Sequence, residues 1–367
     1  MKKIFLMAAM LCACVAASAQ YKYEFTDVKV NPATPVKNQA NTGTCWCFAT
    51  VSFLESELLR TGKGEYDLSE MFIVRNNYIR RMNDNYLRRG RGNVSQGSIA
   101  HMNIWVMDNV GLMPESAYDG INYDSPTHNH GDLAKWVKTV SDAAVEMRKP
   151  LPTEITNGVL DAYLGEVPET FTYNGKEYTA KSFAESLGLK AEDYVELTSF
   201  THHPFYELIP VEIPDNWDHA MMYNLPLDEF MKVIDNAINT GYTVAWDGDV
   251  SESGYAFQHH VAVNTDEDLR KAETLTAKAV EKPVTQQSRQ ASFETFTTTD
   301  DHLEHIVGIA KDQDGVKYYK VKNSWGTQRN GTGYHYFSEE YVKCKTISIL
   351  VHKNSIPKDL RTKLGIK

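Results

Sequence analysis

A cysteine stands six residues after a glutamine in the run Gln39-Ala40-Asn41-Thr42-Gly43-Thr44-Cys45-Trp46-Cys47-Phe48, just behind a glycine turn and at the mouth of an amphipathic segment. A thiol in that place is poised to ionise, because the unpaired amides and aligned peptide dipoles of a helix N-terminus favour negative charge. Far along the chain, Glu304-His305-Ile306-Val307-Gly308 and Lys322-Asn323-Ser324-Trp325-Gly326 supply a histidine and an asparagine. A Cys/His pair can attack a peptide carbonyl and resolve the acyl-enzyme, the imidazolium giving its proton to the leaving amine. In this reading Asn323 holds the His305 ring through its amide oxygen, and Trp325 shields that hydrogen bond from water. The Gln39 side-chain amide, beside the backbone amide of Cys45, is the expected oxyanion donor. Any one of these residues has a duller use, as when a buried cysteine fills apolar space. Their occurrence together, in this order, points to a cysteine peptidase. Asp301, His302 and His305, or the pair His259-His260, are ligand types for a metal, but no further ligands stand at a persuasive spacing, and the chemistry needs no metal or organic cofactor.

The elements that must position these groups are legible in outline. Cys47, Val51, Leu54 and Leu58 recur at helical spacing, which predicts a helix from Cys45 to Arg60 that stops at Thr61-Gly62. Shorter helices are expected at Leu68 to Met82 and Ser98 to Asn109. Residues 125–240 are mixed and proline-punctuated, with a hairpin turn at Tyr173-Asn174-Gly175-Lys176 and amphipathic runs at Ala180 to Leu187 and Leu227 to Asn239. Strands are expected at Tyr242 to Trp246, His305 to Ala310, Tyr318 to Lys322, Gly333 to Phe337 and Thr346 to His352. Polar residues 264–300 read as a long surface excursion.

Whole-chain properties narrow the setting. Residues 1–19 carry Lys2 and Lys3, an apolar run from Ile4 to Ala16, and Ala17-Ser18-Ala19, the pattern of a secretory signal with cleavage near Ala19. The expectation is therefore an exported protein, periplasmic or extracellular. Leu11-Cys12-Ala13-Cys14 offers a rival arrangement, a lipoprotein signal anchored at Cys14. No stretch is long enough to span a bilayer. Past residue 19 only Cys45, Cys47 and Cys344 are present, too few for a disulfide framework. A formal net charge of −10 argues against a nucleic-acid partner. The basic stretches at Arg75 to Arg91 and Lys343 to Lys367 read as solvated faces paired with acids.

With those residues in view the chain resembles the papain superfamily, in its bleomycin hydrolase and bacterial aminopeptidase C branch. The resemblance covers nearly all of residues 20–367 and sets Gln39, Cys45, His305 and Asn323 on the family's oxyanion glutamine and catalytic Cys, His and Asn. Val94-Ser95-Gln96-Gly97-Ser98 stands where such enzymes pair with substrate backbone, making Gly97 and Ser98 candidate substrate contacts together with Trp325. Asn224-Leu225-Pro226-Leu227, Val244 to Val250 and Thr298 to His302 resemble the same branch. The implied fold is α+β and papain-like. A helical half (20–124) carries the nucleophile, an insertion follows (125–240), and an antiparallel β-sheet half (241–367) carries the His and Asn, with the cleft between the halves. Peptides are the implied partners, and the family's homohexameric ring is a further implication. In the family a C-terminal arm enters the cleft, and its carboxylate fixes the substrate amine. Here the chain stops early, at Leu364-Gly365-Ile366-Lys367, so endopeptidase action through an open cleft is an alternative to aminopeptidase action. An acyltransferase and a non-catalytic peptide-binding protein are more remote alternatives.

Overall fold

The computed structural model describes residues 20–367. Strand β1 (Phe25–Val30) leads through an extended segment into helix α1 (Cys45–Arg60), where every residue from Cys45 to Leu58 is buried. Trp46, Phe53 and Leu54 account for this, since all three are sealed from solvent and α1 packs against both sheet and helices. Thr44 gives no side-chain cap to α1; the Cys47 and Phe48 amides donate to the Thr44 carbonyl, and those of Cys45 and Trp46 have no carbonyl partner among the described residues. Helix α2 (Glu70–Leu87) begins at Ser69, whose hydroxyl accepts from the Phe72 amide, and α3 (His101–Asn109), α4 (Gly131–Met147) and α5 (Thr153–Leu164) complete the helical layer.

Strands β2 (Phe171–Tyr173) and β3 (Lys176–Tyr178) form the expected hairpin. Asn174 and Gly175 both take positive φ at its tip, 49° and 76°, as a tight turn matched to strand twist requires. Helix α6 (Ala180–Leu187) follows a capping box built by Thr179 and Ser182. Next come β4 (Tyr194–Thr198), β5 (Leu208–Pro210), β6 (Met221–Asn224), helix α7 (Leu227–Asn239), β7 (Val244–Gly248), β8 (Tyr255–Ala256) and β9 (Val261–Ala262). The chain ends with helix α8 (Gln286–Glu294), strands β10 (His302–Asp312), β11 (Lys317–Lys322) and β12 (Tyr334–Ser338), helix α9 (Glu339–Lys345), β13 (Thr346–His352) and helix α10 (Lys358–Leu364).

These strands make one sheet in the order β5-β6-β4-β13-β7-β10-β11-β12-β9-β8, with β1 paired to β10. The pairs β4·β6 and β9·β12 are parallel and the others antiparallel. The molecule is thus α+β, with a helical layer and a mainly antiparallel sheet. One apolar core joins α1 to the helical layer, and a second joins α7, α9 and α10 to the sheet. Burial at about 25 cal/mol per Å² makes these faces the main source of stability.

Three local expectations differ from the structure. Strand β10 begins at His302, three residues before the expected start at His305, and this moves the site, as described below. Residues 264–300 are not merely a surface excursion. Leu269, Leu275 and Ala279 are buried with Tyr318 in a small third core, and α8 sinks Arg289, whose guanidinium donates to the Ser199 and Lys343 carbonyls. The arginines after Arg75 are only partly a solvated face: Arg75 and Arg81 are buried, the former on Asp161 at 2.8 Å, while Arg88 pairs with Asp84 on the surface. Among the described residues no helix is long and apolar enough to cross a membrane.

Candidate active site

Cys45 opens α1 on the wall of a cavity of about 590 Å³, and Gln39, Tyr255, His302, Trp325 and Arg329 line the same cavity. The histidine that meets Asn323 is His302. Its Nε2–H donates to Asn323 Oδ1 at 3.0 Å, which leaves Nδ1 as the free ring nitrogen. Asn323 Oδ1 also accepts from the Ser324 amide at 2.6 Å. Trp325 lies over the His302 ring with centroids 4.8 Å apart, and the Arg329 guanidinium stacks on the outer side of Trp325 at 4.8 Å. Trp325, expected to cover a bond from Asn323 to His305, lies against the His302 ring instead.

His305, the residue expected in this role, is fully buried elsewhere. Its Nδ1 lies 2.8 Å from Ser52 Oγ on α1, and the same hydroxyl accepts from Lys322 Nζ at 2.7 Å. Successive strand residues point to opposite faces, so His302 and Glu304 serve one side of β10 and His305 the other. Burial, with Lys322 adding repulsion, pushes the His305 imidazole well below its ordinary range. It is a neutral core residue packed near Phe53.

The Gln39 side chain is held at both ends of its amide. Its Oε1 accepts from Ser324 Oγ at 2.6 Å and its Nε2 donates to the Thr42 carbonyl at 2.8 Å, so the amide orientation is set and one N–H remains unassigned on the cavity side. The two expected backbone contacts are placed differently. Ser98 is buried, and its hydroxyl accepts from Trp217 Nε1 at 3.4 Å. Gly97 is covered by the Asp215 carboxylate, which a Cβ at that position would overlap, while the Gly97 carbonyl accepts from Arg81.

Burial pushes the Cys45 thiol up to about 12, opposed by the Leu303 and Trp46 amides and reinforced by the charges of Asp300 and Asp215. Burial pushes His302 down, opposed by Glu304 and by the bond to Asn323. Both effects favour the neutral thiol and imidazole. Cys47 and Cys344 are buried and free, and the Cys47 thiol donates to the Glu70 carbonyl at 3.3 Å.

The metal readings find no geometry. His302 and His305 face opposite ways, and His259 and His260 each meet a backbone carbonyl, of Ala272 and Tyr334, at 2.8 and 3.2 Å. A trio not expected from sequence, His202, His203 and Glu212, does bring its donor atoms within 4.8 Å of one another. However, Gln290 Oε1 is held by the Thr201 amide, so Gln290 Nε2 donates to His202 Nδ1. The proton of His202 then sits on Nε2 and points at Glu212, 3.0 Å away. The trio is a closed hydrogen-bonded cluster and offers no lone pair from His202 to an ion.

A papain-like cleft with this thiol defines a cysteine-type peptidase. The chain belongs to the Peptidase C1-like family, whose model matches residues 136–366, and the Papain family cysteine protease model matches residues 22–181. Aminopeptidase G of Lactobacillus delbrueckii subsp. lactis is 24% identical over 89% of this chain and 83% of its own. Cysteine proteinase 1, mitochondrial, of Saccharomyces cerevisiae (strain YJM789) is 21% identical over 92% of this chain and 79% of its own. The crystal structure of PepW from Lactobacillus rhamnosis HN001 superposes with a TM-score of 0.69 at 17% identity, covering 93% of this chain and 84% of that one, which shows a shared fold.

These relatives overturn the expectation of export. Those named Aminopeptidase G, C and E are intracellular peptidases, and the yeast protein is named as mitochondrial. The secretion signal read in residues 1–19, and with it the lipoprotein reading of Cys14, falls outside the described residues.

Proposed function

We propose that this peptidase removes residues from the free N-terminus of peptides, with Cys45 as nucleophile, His302 as acid and base, Asn323 as the group that orients His302, and Gln39 as oxyanion donor. The observation that carries the assignment is the interlock at Asn323-Ser324. Asn323 holds His302 while Ser324 holds Gln39, on the cavity that Cys45 opens. As substrate fills the cavity, the Cys45 proton passes to His302 and the sulfur adds to the carbonyl carbon. The resulting oxyanion is met by the Cys45 amide and the free Gln39 N–H. His302 then returns its proton to the leaving amine, the C–N bond breaks, and water deprotonated by His302 releases the acid and restores the thiol.

Two features favour aminopeptidase over endopeptidase action. The Asp215 carboxylate occupies the face of Gly97 where a longer peptide would run, and Asp215 and Asp300 both add negative potential at Cys45, which suits a nearby ammonium group. The relatives named as aminopeptidases support the same choice. The test compares one fluorogenic peptide with its N-terminus free and acetylated, with Cys45→Ala as the blank. Cleavage of the free form alone is expected, whereas equal cleavage of the acetylated form would establish an endopeptidase. Full activity in Cys45→Ala would overturn the assignment.

A further inference from the structure

We propose that Tyr255, Glu304 and His335 form a buried relay that fixes the Asn323 amide, and that Glu304 within it stabilises positive charge on His302 during its proton transfers. This rests on the assignment of Cys45 and His302 to catalysis made above. The chain of contacts is continuous. Asn323 Nδ2 donates to the Tyr255 hydroxyl at 2.9 Å, that hydroxyl donates to Glu304 Oε1 at 2.8 Å, and His335 Nε2–H donates to Glu304 Oε2 at 2.5 Å. It crosses the sheet through residues of β8, β10 and β12 and the end of β11.

Donor and acceptor roles run one way along it. Both Glu304 oxygens accept, so the single hydroxyl proton of Tyr255 is committed to Glu304 and the hydroxyl can only accept from Asn323. The amide must then turn its NH₂ towards Tyr255 and its oxygen towards His302. A flipped Asn323 would set its NH₂ against the His302 and Ser324 donors. Rings close the relay in: His335 packs edge-on to Tyr255, Phe257 and Phe337 at 5.1, 5.0 and 4.7 Å.

Charge supplies the second half of the argument. Glu304 is 1% exposed, and among the described residues it has no lysine or arginine partner. A carboxylate so placed is expensive unless its charge is used. Beyond His335, which it meets at 2.5 Å, the group it can serve is His302, two residues away on the same strand face. The titratable and charged groups acting on His302 are Glu304, which raises its pKa, and His335 and Arg329, which lower it; Cys45 and Asp301 line the same cavity. Asparagine is neutral, so the countercharge for an imidazolium has to come from beyond it. Tyr255, Glu304 and His335 are positioning residues in this scheme, since none is proposed to bond a reacting atom.

The test uses Tyr255→Phe and Glu304→Gln in the full chain, with rates normalised to the number of alkylatable Cys45 sites so that misfolded protein does not count. Tyr255→Phe is expected to lower kcat about 10–100-fold with KM changed less than about twofold, and to slow iodoacetamide alkylation of Cys45 in parallel. Glu304→Gln keeps an acceptor for Tyr255 but loses the charge, so a smaller fall in kcat is expected, together with a shift of the His302 limb of the pH profile to lower pH. A wild-type kcat and alkylation rate in Tyr255→Phe, with His302→Ala inactive, would overturn the relay and leave the catalytic assignment standing. An unmoved pH limb in Glu304→Gln would overturn the charge role. Activity in His302→Ala would overturn the assignment on which both depend.

Discussion

His302 and His305 stand three residues apart on β10, both are buried, and their surroundings suit one to the role proposed for it and make the other a piece of core. On the cavity side His302 finds an amide oxygen that holds its ring, an indole that covers it, and open space beyond. On the inner side His305 enters a closed polar knot in which Lys322 Nζ donates to Ser52 and Thr34, and Thr34 donates to Glu55 at 2.5 Å. Residue type, burial and distance along the chain do not separate the two. Strand parity does, because an odd offset along a strand changes the face.

The largest expected effects test this contrast directly. His302→Ala should lower kcat by about a thousandfold or more, as removal of the base in a nucleophile–base pair does. His305→Ala should keep kcat within about threefold while losing roughly 1–3 kcal/mol of stability, since it empties a buried site and removes one of the two partners of the Ser52 hydroxyl. Kinetics on site-titrated protein and urea unfolding read the two quantities separately. If His305→Ala were the inactive variant and His302→Ala the merely unstable one, the two faces would have been assigned the wrong way round.

How much of this the sequence shows follows from the same geometry. Cys45 and its helix are legible because Gln39, the Gly43 turn and the helical recurrence of Cys47, Val51, Leu54 and Leu58 all agree. Asn323-Ser324-Trp325-Gly326 is legible as a motif. The histidine is not, because choosing between His302 and His305 needs the first residue of a strand, and element ends are the least certain feature of any sequence reading. Ser98 could not be read because its burial depends on Trp217, more than a hundred residues on. Tyr255 and His335 give no local signal either: β8 is two residues long, and their link to Glu304 exists only across the folded sheet. Glu304 alone had a usable clue, sharing a strand face with His302 at an offset of two.

A smaller effect sharpens the account of the cavity face. Gln39→Ala should lower kcat about a hundredfold with little change in KM, the loss of one oxyanion donor. Ser324→Ala should cost less, several-fold, because it frees the Gln39 oxygen without removing the donor. A Ser324→Ala loss as large as that of Gln39→Ala would mean that Ser324 acts on Asn323 as well, so that the two halves of the site are one unit.

The smallest effect concerns the charge beside the nucleophile. Burial pushes the Asp300 carboxyl up to about 7, with the Asp215 charge reinforcing it. An ammonium group binds the ionised form, so KM for a free-amine peptide should rise as pH falls through about 7, and Asp300→Asn should raise KM about 3–10-fold at pH 8 and flatten that dependence. Stability should move the other way. The folded pKa lies above the ordinary carboxyl value near 4, so the protonated form is favoured by folding, and its stabilising contribution is full below about pH 4 and lost as pH rises through 7. Asp300→Asn should therefore gain roughly 1–3 kcal/mol at pH 8 and little at pH 4. A gain in stability with KM unchanged would show that the carboxylate is strain left by the fold; a gain in stability with a raised KM would show that the segment leading into β10 gives up stability to hold the substrate amine.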